Sequence, residues 1–261
     1  MSRVKLGICL NSLGVPFRRG LAEAQRLAVP GVQLAARGDF SPDQLTQTGR
    51  RELRNVLRAH NLELSAILCP LRQRLDTAEN LEPRIEHVKK VMTLSFDLGP
   101  RRVIVEAGQI PEKEDDPRRA FLSESLQALA NHGDRTGTIL ALETGRETGS
   151  ALAKFLERFD TGSLGVNYDP ANLLMAGFDP YQAARDLAGK IVHAHAKDAR
   201  SSGASRAVQE VPLGHGDLDW MQLAAVFEEI DYNGWLVVER ETGENQVADI
   251  ANGIAFLRRF V

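Results

Sequence analysis

The sequence predicts an α/β fold made as a single (β/α)8 TIM barrel, and three observations lead there. Eight short runs of β-branched or aliphatic residues recur along the 261-residue chain. Each is followed by an amphipathic, helix-like segment that opens on turn or capping residues. No linker, repeat or shift in composition interrupts residues 1–261, so one domain is expected over that span. Strands that alternate with helices pair in parallel, because a parallel neighbour is reached only through a crossover, and closing the sheet removes both edges. A doubly wound open sheet is the competing arrangement. It is weakened because "NSLGVPF", after the first run, has nothing of a GxGxxG phosphate turn.

The expected strands, in order, are "VKLGICL" (4–10), "GVQLAA" (31–36), "LELSAIL" (62–68), "RRVIVEA" (101–107), "TILALET" (138–144), "SLGVNYD" (163–169), "KIVHAHA" (190–196) and "GWLVVER" (234–240). Between them, "SPDQLTQTGRRELRNVLRAH" reads as a helix that starts at Ser41-Pro42. "DPRRAFLSESLQALANHG" reads as one that starts at Pro117 and stops at Gly133.

Hydrophobic residues make up 43% of the chain and charged residues 26%, which is ample for a globular core. A net charge of −3 gives no global attraction to phosphate backbones or anionic lipid, so neither nucleic acid nor a membrane is an expected partner. The opening "MSRVKLGICLNSLG" is too short and interrupted for a signal segment, and no run is long enough to span a bilayer; a cytoplasmic enzyme is expected. Cys9 and Cys69 are too few for a disulfide framework and read as small buried hydrophobes. A homo-oligomer stays open.

In a barrel of this kind chemistry sits at the C-terminal ends of the strands. Several runs here end in an acid or a histidine: Glu106, Glu143, Asp169, His195 and Glu239. Alternation places Glu143 on a face with Ile139 and Ala141, Asp169 with Gly165 and Asn167, His195 with Ile191 and His193, and Glu239 with Trp235 and Val237. If that face points inward, three carboxylates and one imidazole converge above the axis. Such a group repels itself unless a divalent cation compensates it. Oxygen-rich ligation with one imidazole suits Mn²⁺, Mg²⁺ or Co²⁺, with Zn²⁺ not excluded.

His193 and His195 lie on one face roughly 6.6 Å apart in height. His195 is therefore the expected ligand at the rim, and His193, one layer deeper, a supporting donor or a satisfied core histidine. Lys197 and Asp198 follow, either to meet a substrate hydroxyl or to pair with each other. Glu106 fits a pairing with arginine as well as it fits a site. The "ETGRETG" segment puts Arg146 and Glu147 near the rim.

The blocks "ALETG", "NYDPANLLMAGFDP", "IVHAHAKD", "PLGHGDLDW" and "NGWLVVERE", in that order, resemble the sugar phosphate isomerase/epimerase superfamily with its xylose isomerase-like barrel. The resemblance covers essentially the whole chain. It implies one metal held by Glu143, Asp169, His195 and Glu239, with Glu143 and Glu239 also exchanging the proton at the reacting carbon. Asn172 stands where relatives place a histidine, and His215 where many carry Glu. Asp217 or Asp219 is expected to cap the next helix.

Candidate contacts to a small carbohydrate are thus Asn172, Lys197, Asp198, Glu106, Arg146 and His215, with His193 beneath. "DARSSGASRA", with Arg200 and Arg206, reads as a phosphate cradle or a mobile lid. The expected reaction is isomerisation or epimerisation of a sugar, sugar phosphate or keto-polyol by proton transfer through a metal-stabilised enediolate. Dehydration of a keto-polyol such as an inosose comes second. An AP endonuclease-type phosphodiesterase or a barrel that binds without turnover are further alternatives.

Overall fold

The computed structural model describes residues 4–202 and 207–260. The eight expected runs all form strands: β1 (Lys5–Cys9), β2 (Gly31–Ala35), β3 (Glu63–Leu68), β4 (Arg102–Val105), β5 (Ile139–Glu143), β6 (Leu164–Tyr168), β7 (Ile191–Ala196) and, after two strands outside the barrel, Trp235–Val238. They close into a parallel barrel in which β1 pairs with both β2 and Trp235–Val238. Nine helices run between and after them among the described residues: α1 (Phe17–Arg26), α2 (Gln47–Ala59), α3 (Leu81–Leu98), α4 (Pro117–Thr136), α5 (Gly149–Leu156), α6 (Pro170–Met175), α7 (Pro180–Asp186), α8 (Trp220–Glu229) and α9 (Gln246–Leu257). None of the helices among the described residues is long and apolar enough to cross a membrane.

Strand alternation sorts the side chains. Val103, Val105, Leu140, Leu142, Val166, Tyr168, Leu236 and Val238 belong to the main core with Leu21, Leu122, Leu223 and Ile254 of the helices. Ala66, Ile104 and Ala141 form a separate small cluster, as do Cys9, Trp235 and Val237. Residues one step out of phase with the main core, Ala141, Asn167, His193 and Val237, therefore lead up to Glu143, Asp169, His195 and Glu239. Close approach explains Gly31: a Cβ there would strike the Trp235 ring. Gly31→Ala is expected to cost about 1–3 kcal/mol through overpacking, read as a lowered midpoint in urea at unchanged m-value.

Both helix limits differ from expectation. Helix α2 starts at Gln47 because Thr46 Oγ1 accepts the Gly49 N–H at 3.2 Å, so Ser41–Leu45 forms the turn before it. Helix α4 runs through Gly133 to Thr136 and ends at Gly137, whose φ of 69° provides the left-handed stop. Cys9 and Cys69 are both free and buried, and burial pushes the Cys69 thiol up to about 12.

The segment expected as a cradle or lid contains structure. A two-stranded antiparallel hairpin, β8 (Asp198–Ser202) and β9 (Ala207–Val211), rises directly after β7, so that Trp235–Val238 is β10. Arg200 lies on this hairpin and Arg206 outside the described residues.

Candidate metal centre

Glu143, Asp169, His195 and Glu239 come together at the C-terminal end of the barrel, each offering a ligand atom within 4.8 Å of all the others. Their positions follow from the strands. Glu143 ends β5, His195 is the next-to-last residue of β7, and Asp169 and Glu239 lie one residue past β6 and β10. His195 Nδ1 faces the three carboxylates, at 3.2 Å from Glu143 Oε1, 3.3 Å from Glu239 Oε2 and 3.6 Å from Asp169 Oδ2. The other ring nitrogen, Nε2, donates to Gln33 Oε1 at 2.9 Å.

"DPAN" gives Asp169 two tasks. As the residue before α6, with Pro170 in the first turn, it accepts the Asn172 N–H on Oδ1 at 2.9 Å. Its other oxygen, Oδ2, is buried without a hydrogen-bond partner, as expected of an atom aimed at a cation. Thr144 holds the backbone behind it: Thr144 Oγ1 accepts the Asp169 N–H at 2.8 Å and donates to Asp169 O at 3.1 Å. The Glu239 N–H donates to Ala196 O at 3.1 Å, tying the third acid to β7. Gly145, at φ 124°, lets the chain after Glu143 pass against Asn172, which a Cβ would strike.

The electrostatics call for positive charge. Burial disfavours the His195 cation, yet Glu239, Asp169 and Glu143 outweigh burial and hold its pKa well above the usual value. Burial, reinforced by Glu143 and Asp169, pushes Glu239 up to about 7. Burial also opposes ionisation of Asp169, but Lys197 and His195 outweigh it and keep that carboxyl below its usual value. Three hard carboxylates, one of them with a buried oxygen that accepts no hydrogen bond, and one imidazole fit a divalent cation.

Lys197 and Asp198 do not pair with each other. Lys197 is 1% exposed, and its Nζ lies 3.1 Å from Glu241 Oε2, 3.4 Å from Glu239 Oε2 and 3.3 Å from Asn172 Oδ1. Burial opposes its charge, but Asp169, Glu239 and Glu241 prevail and raise its pKa. Asp198 turns the other way and accepts the N–H groups of Ala199, Gly214 and Gly216, so it organises the loop before α8. His215 sits exposed on that loop, and Asp219 is the residue that caps α8. Asn172 Nδ2 donates to Glu143 Oε1 at 3.3 Å, which joins the acid to Lys197 through one amide.

A cavity of about 380 Å³ opens beside the cluster, lined by Glu143, Asn172, Glu241, Arg74, Glu106 and Arg146 among others. Arg74 and Arg146 both pair with Glu106 Oε2, at 2.7 and 3.2 Å. Glu147 instead accepts the Ile110 N–H and lines a neighbouring cavity, and burial pushes its carboxyl up to about 7. His193 lies below His195, bonded to Asn167 and Ser65; burial, then His195 and Arg102, keep it neutral.

Sequence reasoning missed Gln33, Arg74, Thr144 and Glu241. A polar residue inside the apolar run "GVQLAA" was the available signal for Gln33. Arg74 lies on a long connection with no periodicity to orient it.

The chain is 26% identical to the uncharacterized protein YfiH of Bacillus subtilis (strain 168), over 91% of this chain and 93% of that one. It is 29% identical to an inosose dehydratase of Geobacillus kaustophilus (strain HTA426) over 48% of this chain, a match that spans only 42% of that relative. A crystal structure of a xylose isomerase domain protein from Planctomyces limnophilus superposes with a TM-score of 0.87 at 26% identity, covering 99% of this chain and 97% of that one. Solved sugar epimerases, a D-tagatose 3-epimerase-like protein and a probable 3-DHS dehydratase share the fold at TM-scores of 0.77 to 0.80 and 14 to 19% identity. Residues 21–260 match the xylose isomerase-like TIM barrel family, and the chain belongs to it.

Proposed function

We propose that the protein is a metal-dependent isomerase or epimerase of a small polyhydroxy carbonyl compound, acting by proton transfer at the carbon beside the carbonyl. The observation that supports this most is the convergence of Glu143 from β5 and Glu239 from beyond β10 on one imidazole nitrogen, at 3.2 and 3.3 Å, beside an open cavity. A divalent ion held by Glu143, Asp169, His195 and Glu239 would supply positive charge next to the substrate carbonyl and so acidify the neighbouring C–H. One glutamate takes that proton and the other returns it; return to the opposite face inverts the centre, and return to the former carbonyl carbon, with the neighbouring hydroxyl proton passed to the former carbonyl oxygen, isomerises the compound. Asn172 orients Glu143, and the Lys197 ammonium donates to a substrate oxygen.

The position of Lys197 also supports a second reading, dehydration of a keto-polyol. A glutamate removes the proton beside the carbonyl, a carbon–carbon double bond forms, and the hydroxyl one carbon further leaves as water with a proton from Lys197. An acid 3.4 Å from a base is suited to that elimination, and the relatives include inosose dehydratases. An endonuclease reading has less support. Asn172 replaces the histidine a further metal would use, and the net charge is −3.

Incubation of the purified protein with ketoses, keto-polyols and their phosphates, with Mn²⁺, Mg²⁺ or Co²⁺ in D₂O, tests the proposal by NMR. Deuterium uptake with interconversion supports isomerase or epimerase, and deuterium uptake with loss of water supports dehydratase. Cleavage of abasic DNA without either would overturn both. Arg146→Ala, which removes a half-exposed donor from the cavity wall, is expected to raise KM about tenfold and change kcat less than about threefold.

A further inference from the structure

Beneath the carboxylates a continuous hydrogen-bonded column crosses the barrel interior. Ser65 Oγ lies 3.1 Å from His193 Nε2, and His193 Nδ1 lies 2.8 Å from Asn167 Oδ1. Asn167 Nδ2 lies 3.1 Å from His195 Nδ1, His195 Nε2 lies 2.9 Å from Gln33 Oε1, and Gln33 Nε2 reaches Cys9 Sγ at 3.6 Å. All six side chains are buried, and they come from β1, β2, β3, β6 and β7.

Such a column has a polarity, because an amide presents an oxygen on one side and an NH₂ on the other. Asn167 Oδ1 accepts the proton on His193 Nδ1, so His193 Nε2 accepts the Ser65 hydroxyl. The Asn167 NH₂ then faces His195 Nδ1, where a donor disfavours a proton. On the far side of the same ring, Gln33 Oε1 accepts the proton on Nε2 while its NH₂ donates to the Cys9 sulfur. Both amides therefore demand one tautomer of neutral His195, with the proton on Nε2 and the lone pair on Nδ1, the nitrogen that faces Glu143, Asp169 and Glu239. The reversed column, with the Ser65 hydroxyl turned to Val32 O at 3.3 Å, would place the proton on Nδ1 and withdraw that lone pair.

We infer that Gln33 is a positioning residue that holds His195 in the metal-binding tautomer; the Asn167 NH₂, oriented by His193 and Ser65, favours the same tautomer in the metal-free protein and gives up the Nδ1 lone pair when a cation takes it. The inference rests on the metal-dependent reading proposed above. A ligating imidazole needs its other nitrogen engaged, and loss of such a partner typically weakens metal binding tenfold to a hundredfold.

Calorimetric titration of metal-free wild type, Gln33→Met and Gln33→Glu with Zn²⁺ and Mn²⁺ tests it, together with ¹⁵N NMR of the histidine rings in the Zn²⁺-loaded proteins. Gln33→Met is expected to bind metal at least about tenfold more weakly, while Gln33→Glu, which still accepts the Nε2 proton, stays within about threefold of wild type. The loaded wild type should show His195 protonated at Nε2 and metal-bound at Nδ1. Gln33→Met affinity within about twofold of wild type, or a His195 proton found on Nδ1, overturns the inference while the metal centre itself stands. A wild type that binds neither ion overturns both. If Gln33→Met does not fold, the Gln33→Glu affinity and the wild-type spectrum still decide.

Discussion

Glu143→Gln should abolish deuterium uptake at the reacting carbon while leaving the metal in place. General acid–base groups contribute about 10²- to 10⁴-fold, and the loss of uptake is expected in that range. The substitution keeps one oxygen on the side chain and removes the basicity, so metal content measured on the same sample separates the two roles of Glu143. Retained metal with uptake within about threefold of wild type would exclude Glu143 as a proton carrier and leave it a ligand only. Glu239→Gln, on the other side of the His195 nitrogen, should show the complementary loss, in the reverse direction of the reaction.

Metal should stabilise the fold more strongly as pH rises. In the metal-free protein burial and its acidic neighbours push Glu239 up to about 7, and His195 is held protonated well above its usual value against the cost of burial. Both groups bind more protons folded than unfolded. The Glu239 contribution is therefore complete below the ordinary glutamate value and lost as pH climbs through about 7; the His195 contribution is complete below roughly 6.5 and lost as pH climbs through its raised folded value. A divalent ion takes the place of those protons. At an ion concentration about a hundred times Kd the gain is about 2.7 kcal/mol, or about 5–10 °C in Tm for a chain of this size. Calorimetry from pH 6 to 8.5 should show that rise growing with pH in wild type and vanishing in His195→Ala, alongside the loss of about one ion per chain. A metal-induced shift that shrinks with pH would contradict the carboxylate-rich centre.

The barrel was legible because its strands obey a period of two bounded by turn residues. "TILALET" and "GWLVVER" carry both the packing face and the rim acid in seven residues. Helix limits were less legible: Ser41-Pro42 reads as a start, yet it is Thr46, five residues on, that accepts a backbone N–H from the helix. The hairpin β8–β9 escaped notice because "DARSSGASRA" is small and polar, and its pairing depends on a partner strand beyond it. Lys197 and Asp198 show the limit at the site. Adjacent residues in extended chain point to opposite sides, yet which side holds the cavity and which the loop N–H groups depends on residues 214–216, outside the motif. Gln33 was hidden for a related reason: its partner lies 162 positions away.

The Arg74–Glu106–Arg146 pairing links the connections that follow β3, β4 and β5, because both guanidiniums share one carboxylate oxygen. Three loops so joined form one side of the cavity wall held by a single carboxylate oxygen. The joint is half-exposed, so raised ionic strength should loosen it and make entry of substrate, more than the chemical step, sensitive to salt.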